Sequence, residues 1–256
     1  MITGASAGIG AACARAFAAR GVAVALAARR ADRLDAVARE VATAGGRALA
    51  VPADVTSEAA MRSLVTRTLT AYGRLDALVC NAGVGFLGSP EETTPEIVSR
   101  LMEVNFLGTV HAIRAALPHF EAQGHGHLLI VSSIVARRPI PGYEAYAASK
   151  AAQAAFGEAL RARYSGSRIH VSLVYPISTE TEFREAMRRD YGQVTEGVGP
   201  QQRVEDVAAA MLRCLERPRA EVFPYRPSRA LALMTVLAPA ISDRIARRYG
   251  RTRVEA

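Results

Sequence analysis

At 256 residues, half of them hydrophobic, the chain can bury one sizeable core, and no run approaches the roughly 20 apolar residues of a membrane-spanning helix, so a soluble single domain over residues 1–256 is expected. The net charge of +8 is concentrated in residues 213–256, where ten arginines face Glu216, Glu221, Asp243 and Glu255; without interleaved aromatics or a nucleic-acid motif, this predicts a solvated basic face and no nucleic-acid partner. Cys13, Cys80 and Cys214 are scattered and odd in number, which argues against a disulfide framework and for a reducing, cytoplasmic setting.

The chain opens on Met1 and Ile2, followed at once by the loop "TGASAGIG", residues 3–10. The first strand of a doubly wound sheet is central and normally five or six residues long, so a natural chain that begins upstream of Met1 is expected. Apolar runs at 22–28, 47–53, 75–81, 127–133, 168–176 and 220–225 read as strands buried on both faces. Between them lie helical segments. One runs from the glycine loop to Gly21 as C-cap, one starts on Asp32 as N-cap, one follows Ser57, and one opens at Thr94-Pro95. Alternating strand and helix call for right-handed crossovers and an α/β fold, a doubly wound parallel sheet of Rossmann-like type. His125 and His127 lead into a strand without a Cys or carboxylate cluster at ligand spacing, so no metal site is expected.

Thr3, Gly4, Ser6, Gly8, Ile9 and Gly10 join the strand remnant to a helix. Glycines let the backbone approach a pyrophosphate, and a helix start offers free N–H groups and the positive end of the dipole. A tight helix-packing turn gives the same letters, but the order of strand, turn, helix and strand favours a dinucleotide. The second strand ends Ala27-Ala28-Arg29-Arg30. An acidic residue there suits the ribose of NAD and an arginine the 2′-phosphate of NADP, so NADP(H) is expected in preference to NAD(H); a solvated arginine pair is the alternative.

The loop "TGASAGIG", "CNAG" at 80–83, Asn105, Ser133 and "YAASK" at 146–150, in that order and over this length, resemble the single-domain short-chain dehydrogenase/reductase family nearly from end to end. The T-G-x-x-x-G-x-G spacing separates the chain from the larger epimerase-like relatives. Lys150 is the only lysine among 32 basic residues. Hydride reduction of a carbonyl leaves an alkoxide, which needs a proton from a positioned acid. A phenol supplies one, and a nearby cation favours its anion for the reverse direction. Tyr146 and Lys150, four apart in an Ala-rich helical stretch, project from one face; Tyr143, the competing phenol, has Ala147 at that offset.

The resemblance implies further roles. Ser133 is the donor to the substrate oxygen, with Ser132 as its alternative, since successive strand residues face opposite ways. Asn105 holds a water in a proton relay through Lys150, or else satisfies a backbone group. Asn81, Ala82 and Gly83 line the adenosine side, and Asp54-Val55 meets the adenine unless Asp54 is simply a cap. Pro176 and Thr181 stand on the nicotinamide side. Where the family has Pro-Gly, this chain has Pro176-Ile177, and because Ile cannot adopt positive φ cheaply the turn is expected to differ.

Residues 178–202 read as a substrate lid, a short helix with Gly-rich ends, whose Arg184, Arg188 and Arg189 are expected to face solvent, with contact to an acidic substrate as the alternative. Val84, Phe86, Ile134, Pro139 and Tyr143 suggest an apolar pocket for a small hydrophobic carbonyl or alcohol substrate. Residues 228–256 form a basic C-terminal helix or tail, broken at Pro239, that packs on its own domain or on a partner subunit in a homo-dimer or homo-tetramer; peripheral membrane contact through it is the less favoured alternative. The expected activity is an NADPH-dependent oxidoreductase with Tyr146 as acid/base, against a catalytically silent dinucleotide-sensing or scaffold protein of the same fold.

Overall fold

The structure, a computed structural model, describes residues 1–192 and 199–249. Among these, seven strands form one sheet: β1 Ile2–Thr3, β2 Val24–Ala28, β3 Ala48–Pro52, β4 Ala77–Cys80, β5 Gly126–Val131, β6 Ile169–Val174 and β7 Glu221–Val222. Their order is β3-β2-β1-β4-β5-β6-β7, and every pairing is parallel. The reversal of strand order between β1 and β4 makes this the doubly wound sheet that the alternating pattern predicts.

Strand alternation sorts the core into two layers. Leu26 and Leu129 point to one face, where Phe17 of α1 (Gly8–Ala18), Leu34 of α2 (Ala31–Thr43) and Met211 of α8 (Val204–Glu216) cover them. Their neighbours Ala25, Leu128 and Ile130 point to the other, against Leu64 of α3 (Glu58–Tyr72), Phe120 of α5 (Gly108–Gln123) and Ala154 of α6 (Glu144–Arg163). Each such fully buried large side chain contributes about 1.5–3 kcal/mol. The central strand has two residues, yet the ladder reaches past them, because the Val79 N–H donates to the Met1 carbonyl at 2.9 Å and the Met1 amino group donates to the Ala77 carbonyl at 2.9 Å.

Two helix ends follow expectation. Ser57 Oγ accepts the Ala60 N–H at 3.2 Å, and Thr94 Oγ1 accepts that of Ile97 at 3.5 Å ahead of Pro95. Two do not. Asp32 is not an N-cap: the cap is Arg30, two residues earlier, and Asp32 lies in the first turn where its charge suits the helix dipole. The first helix ends at Ala18 rather than at Gly21, which takes φ +78° in the turn that follows. The helical segment that opens at Thr94-Pro95 is α4 (Pro95–Leu101), a π-helical turn over Met102–Leu107 that carries Asn105, and α5; in it the Gly108 N–H reaches back five residues to the Glu103 carbonyl. Such wide turns concentrate at functional sites.

The lid segment holds α7 (Phe183–Tyr191), closed by Gly192 at φ +71°; residues 193–198 of the expected lid lie outside the described residues. Residues 178–180 and 202 are tied by the Gln202 N–H to the Ser178 carbonyl at 2.9 Å and the Glu180 N–H to the Gln202 carbonyl at 3.1 Å. Two helices, α9 (Ser228–Leu237) and α10 (Pro239–Tyr249), follow β7 and break at Ala238-Pro239, as expected. Arg138 fastens α10 to the body through the Ser242 carbonyl and Asp243, both at 3.0 Å, while Val236 and Leu237 are 80% and 81% exposed. Residues 250–256 of the basic tail lie outside the described residues. No described helix is long and apolar enough to cross a membrane.

Candidate active site

The carboxyl ends of the strands open onto a cleft of about 660 Å³, within the range of small-molecule and cofactor sites. The glycine loop forms one wall. Gly8 takes φ +54°, a conformation that a side chain would strain. A Cβ on Gly10 would stand 2.3 Å from the Gly4 carbonyl oxygen, so the loop folds back on itself only with glycine there. The helix that follows has Ala7 at its N-cap, no side-chain cap and no acid in its first turn. Its first N–H groups therefore remain available beside a positive dipole end, a setting that fits a pyrophosphate.

Gly4, Ser6, Gly8 and Ile9 line the cleft, whereas Thr3 and Gly10 do not. Thr3 has a bracing role instead. Its hydroxyl accepts the N–H groups of Asn81 and Ala82 at 3.0 and 3.2 Å, and Asn81 Nδ2 returns bonds to the carbonyls of Thr3 and Gly4 at 3.0 and 3.1 Å. The glycine loop is thus bolted to the end of β4, whose Asn81, Ala82 and Gly83 line the cleft.

Arg29 and Arg30 reach the same cleft. Arg30 Nη2 donates to Ser6 Oγ at 3.3 Å, and its Nη1 pairs with Glu182 at 3.0 Å, while Arg33 pairs with the other oxygen of Glu182 at 2.5 Å. The Arg30 hydrogen bond, joined by Arg33, holds the Glu182 carboxyl below its usual range. Asp54 and Val55 also line the cleft. Asp54 Oδ1 accepts the N–H and hydroxyl of Thr56 at 3.0 and 2.9 Å, a local turn and not the helix cap expected as its alternative, since Ser57 caps α3. Partial burial works against its charge, but these bonds, with Arg29 and Arg100 nearby, leave its pKa lowered.

The α6 helix carries Tyr146 and Lys150 on one face, as their spacing predicts. Lys150 Nζ lies over the Tyr146 ring, 5.9 Å from its centroid, and donates to the Val131 carbonyl at 3.0 Å. Lys150 is 4% exposed, and burial lowers its pKa to about 7, with Cys80 acting weakly the other way. Burial also raises the Tyr146 phenol, against which the neighbouring Ser133 hydroxyl works. The serine alternatives resolve by direction. Ser132 is buried and donates to the Lys150 carbonyl at 2.9 Å, so it fixes α6, while Ser133 is half-buried beside the phenol. Tyr143 lines the cleft too, its ring 6.2 Å from that of Tyr146, but no lysine accompanies it.

Asn105 is fully buried and outside the cleft lining. Its Oδ1 accepts the Val84 N–H at 2.8 Å, and its Nδ2 donates to the Val84 carbonyl at 3.0 Å and to Ser149 Oγ at 2.9 Å. The side chain therefore satisfies backbone, the alternative foreseen for it. Gly83 sits between: a Cβ there would come within 3.1 Å of Asn105 Oδ1 and 3.3 Å of Lys150 Nζ.

Pro176 and Ile177 line the cleft, and Ile177 keeps negative φ, since no described non-glycine residue adopts positive φ. The turn forms without the glycine, held by the Ile134 N–H on the Pro176 carbonyl at 2.9 Å and Thr179 Oγ1 on the Ile177 carbonyl at 2.9 Å. Thr181 packs its methyl group over Gly8. Phe183 lies 5.7 Å from the Tyr146 ring centroid, so the start of α7 covers the candidate acid. Of the expected apolar lining, Val84, Ile134 and Tyr143 are present; Phe86 instead packs on Tyr191, and Pro139 is exposed. Arg184 departs from its expected solvent exposure: it turns inward to Ser178 Oγ at 2.5 Å and lines the cleft, as does Arg189. The sequence reading missed Glu182 and Arg33, and also Leu231 and Ile245, by which α9 and α10 close one side.

A glycine-loop cleft at the switch point of a doubly wound sheet, with a lysine, a phenol and a serine hydroxyl brought together in it, defines a dinucleotide-binding protein. The family model described as short chain dehydrogenase matches residues 1–192, and the chain belongs to that family of NAD(P)-dependent dehydrogenases and reductases. It is 31% identical to a Bos taurus protein named dehydrogenase/reductase SDR family member 7B, over 96% of this chain and 79% of that one. A short chain dehydrogenase/reductase from Burkholderia phymatum, solved with NAD, superposes with a TM-score of 0.85 at 24% identity over 94% of this chain and 93% of that one. An alcohol dehydrogenase from the archaeon Thermococcus sibiricus, solved with 5-hydroxy-NADP, gives 0.76 at 28% identity over 87% and 94%. A nicotinamide cofactor is common to these structures, and the residues of the cleft fit one.

Proposed function

We propose that the protein is an NADPH-dependent reductase, or in reverse a dehydrogenase, of a small hydrophobic carbonyl or secondary alcohol, with Tyr146 as its general acid and base. The observation that carries this reading is the stacking of Lys150 against Tyr146, beside Ser133, in the same cleft as the uncapped start of α1. The bound cofactor supplies or accepts the hydride. Tyr146 gives its proton to the carbonyl oxygen during reduction and takes one from the alcohol during oxidation, while the Ser133 hydroxyl holds that oxygen in position. Burial disfavours the phenolate, and a protonated Lys150 one helical turn away offsets this. Among the described residues the lysine has no acidic ion-pair partner, so its charge is at the disposal of the phenol and of ribose hydroxyls. Asn105 serves as a positioning residue, clamping the Gly83-Val84 backbone against the lysine.

The preference for NADPH rests on Arg29, Arg30 and Arg33 around the end of β2, where no carboxylate precedes the helix. Val84, Ile134, Phe183, Met187, Leu231 and Ile245 line the substrate side and support an apolar substrate. Homo-oligomer formation is supported by the exposed Val236 and Leu237 at the end of α9.

The test is NADPH oxidation against a panel of ketones and aldehydes, run with wild type and Tyr146→Phe. The expected loss on substitution is about 10²- to 10⁴-fold in kcat with NADPH binding retained. Cofactor binding without Tyr146-dependent turnover on any carbonyl supports the silent sensor instead.

A further inference from the structure

The end of β2 and the start of α7 meet through one carboxylate. Glu182 uses both oxygens, one on Arg30 at 3.0 Å and the other on Arg33 at 2.5 Å. Arg30 is oriented from behind by Ser6 of the glycine loop. Arg29 has no acidic partner within 4.0 Å among the described residues and faces the cleft. Two guanidinium groups thus share one carboxylate, one of them also held by a loop hydroxyl, and Arg29 lines the same cleft. A phosphomonoester carries more negative charge than a carboxylate and offers three acceptor oxygens, which match guanidinium forks better.

Resting on the NADPH reading above, we infer that Glu182 and the cofactor's 2′-phosphate compete for Arg30 and Arg33, which makes Glu182 a specificity-determining residue. The phosphate engages these arginines only when Glu182 lets go, so part of the affinity that the arginines confer on NADPH is offset. NADH carries a bare ribose at that point and leaves the pairs intact. Glu182 therefore narrows the gap between the two cofactors. Because it immediately precedes α7, which carries Phe183 onto Tyr146, its release by the phosphate also loosens the cover over the phenol.

Equilibrium binding of 2′,5′-ADP and 5′-ADP, measured by calorimetry, separates the phosphate from everything else. In Glu182→Gln, 2′,5′-ADP is expected to bind about three- to tenfold more tightly, with 5′-ADP unchanged, the size expected for half-exposed ion pairs. The gain is expected to vanish in the Arg30→Ala/Arg33→Ala background. In wild type, 2′,5′-ADP but not 5′-ADP is expected to raise amide exchange across residues 182–191. An equal gain for both nucleotides means a general loosening of α7 and overturns the inference, as does no gain for either. If wild type binds both nucleotides and favours 2′,5′-ADP while Glu182→Gln leaves the ratio unchanged, the inference fails and the NADPH reading stands. Failure of wild type to bind either nucleotide overturns both.

Discussion

Replacing Lys150 by methionine keeps the length of the side chain and removes the ammonium. Lys150 is 4% exposed and has a backbone carbonyl as its hydrogen-bond partner, and burial lowers its pKa from 10.5 to about 7. The folded protein thus disfavours the charged form, by about 1.4 kcal/mol per unit, or roughly 5 kcal/mol over the whole shift. The sign follows from proton uptake. Below pH 7 the lysine is charged in both folded and unfolded chains, and the penalty is present in full. Between pH 7 and 10.5 the unfolded chain binds the proton that the folded chain has released, so wild type gains stability as pH rises. Methionine has no such dependence. Urea unfolding of the two proteins at pH 6, 7.5 and 9 is expected to show Lys150→Met more stable by several kcal/mol at pH 6, less the lost bond to Val131, with its advantage shrinking by about 2–3 kcal/mol by pH 9. The substitution is also expected to abolish carbonyl turnover. A stability difference that stays constant across this range, or one that grows with pH, refutes the assignment of a destabilised buried ammonium beside the phenol.

Two further outcomes follow from contacts around the cleft. Asn105→Ala leaves the Val84 N–H and carbonyl without partners inside the protein, and a loss of about 3 kcal/mol is expected, or roughly 6–12 °C in Tm by calorimetry. A Cβ on Gly85 would lie 2.4 Å from Phe183 Cζ and 2.9 Å from Met187 Sδ, so Gly85→Ala is expected to push α7 off the cleft; limited proteolysis between residues 183 and 192 is expected to accelerate severalfold while far-UV circular dichroism is unchanged.

The order of elements was legible because its signals are local. Strands buried on both faces read as apolar runs, and Ser57 and Thr94 announce their helices by side chains that cap them. The motif residues were equally legible, since a four-residue spacing on an Ala-rich helix fixes a shared face before any tertiary contact exists. Asp32 misled because an acid in the first turn and an acid at the cap serve the same dipole, and only the backbone angle of Arg30 separates them. The wide turn at Met102–Leu107 has no local signal. It arises where one helix must present Asn105 to Val84 and Ser149 at once, a demand set by α6 and the end of β4. Glu182 was hidden for a related reason. It is 149 residues from Arg33 and 152 from Arg30, and nothing near it in sequence distinguishes it from Glu180 or Glu185, which have no ion pair among the described residues. Residues that bind a cofactor by backbone shape recur in fixed spacing, whereas those that regulate its access depend on where a crossover lands. The glycine loop could accordingly be read from eight letters, while the carboxylate that guards its arginine neighbours emerged only when the loop after β6 was seen folded back over β2.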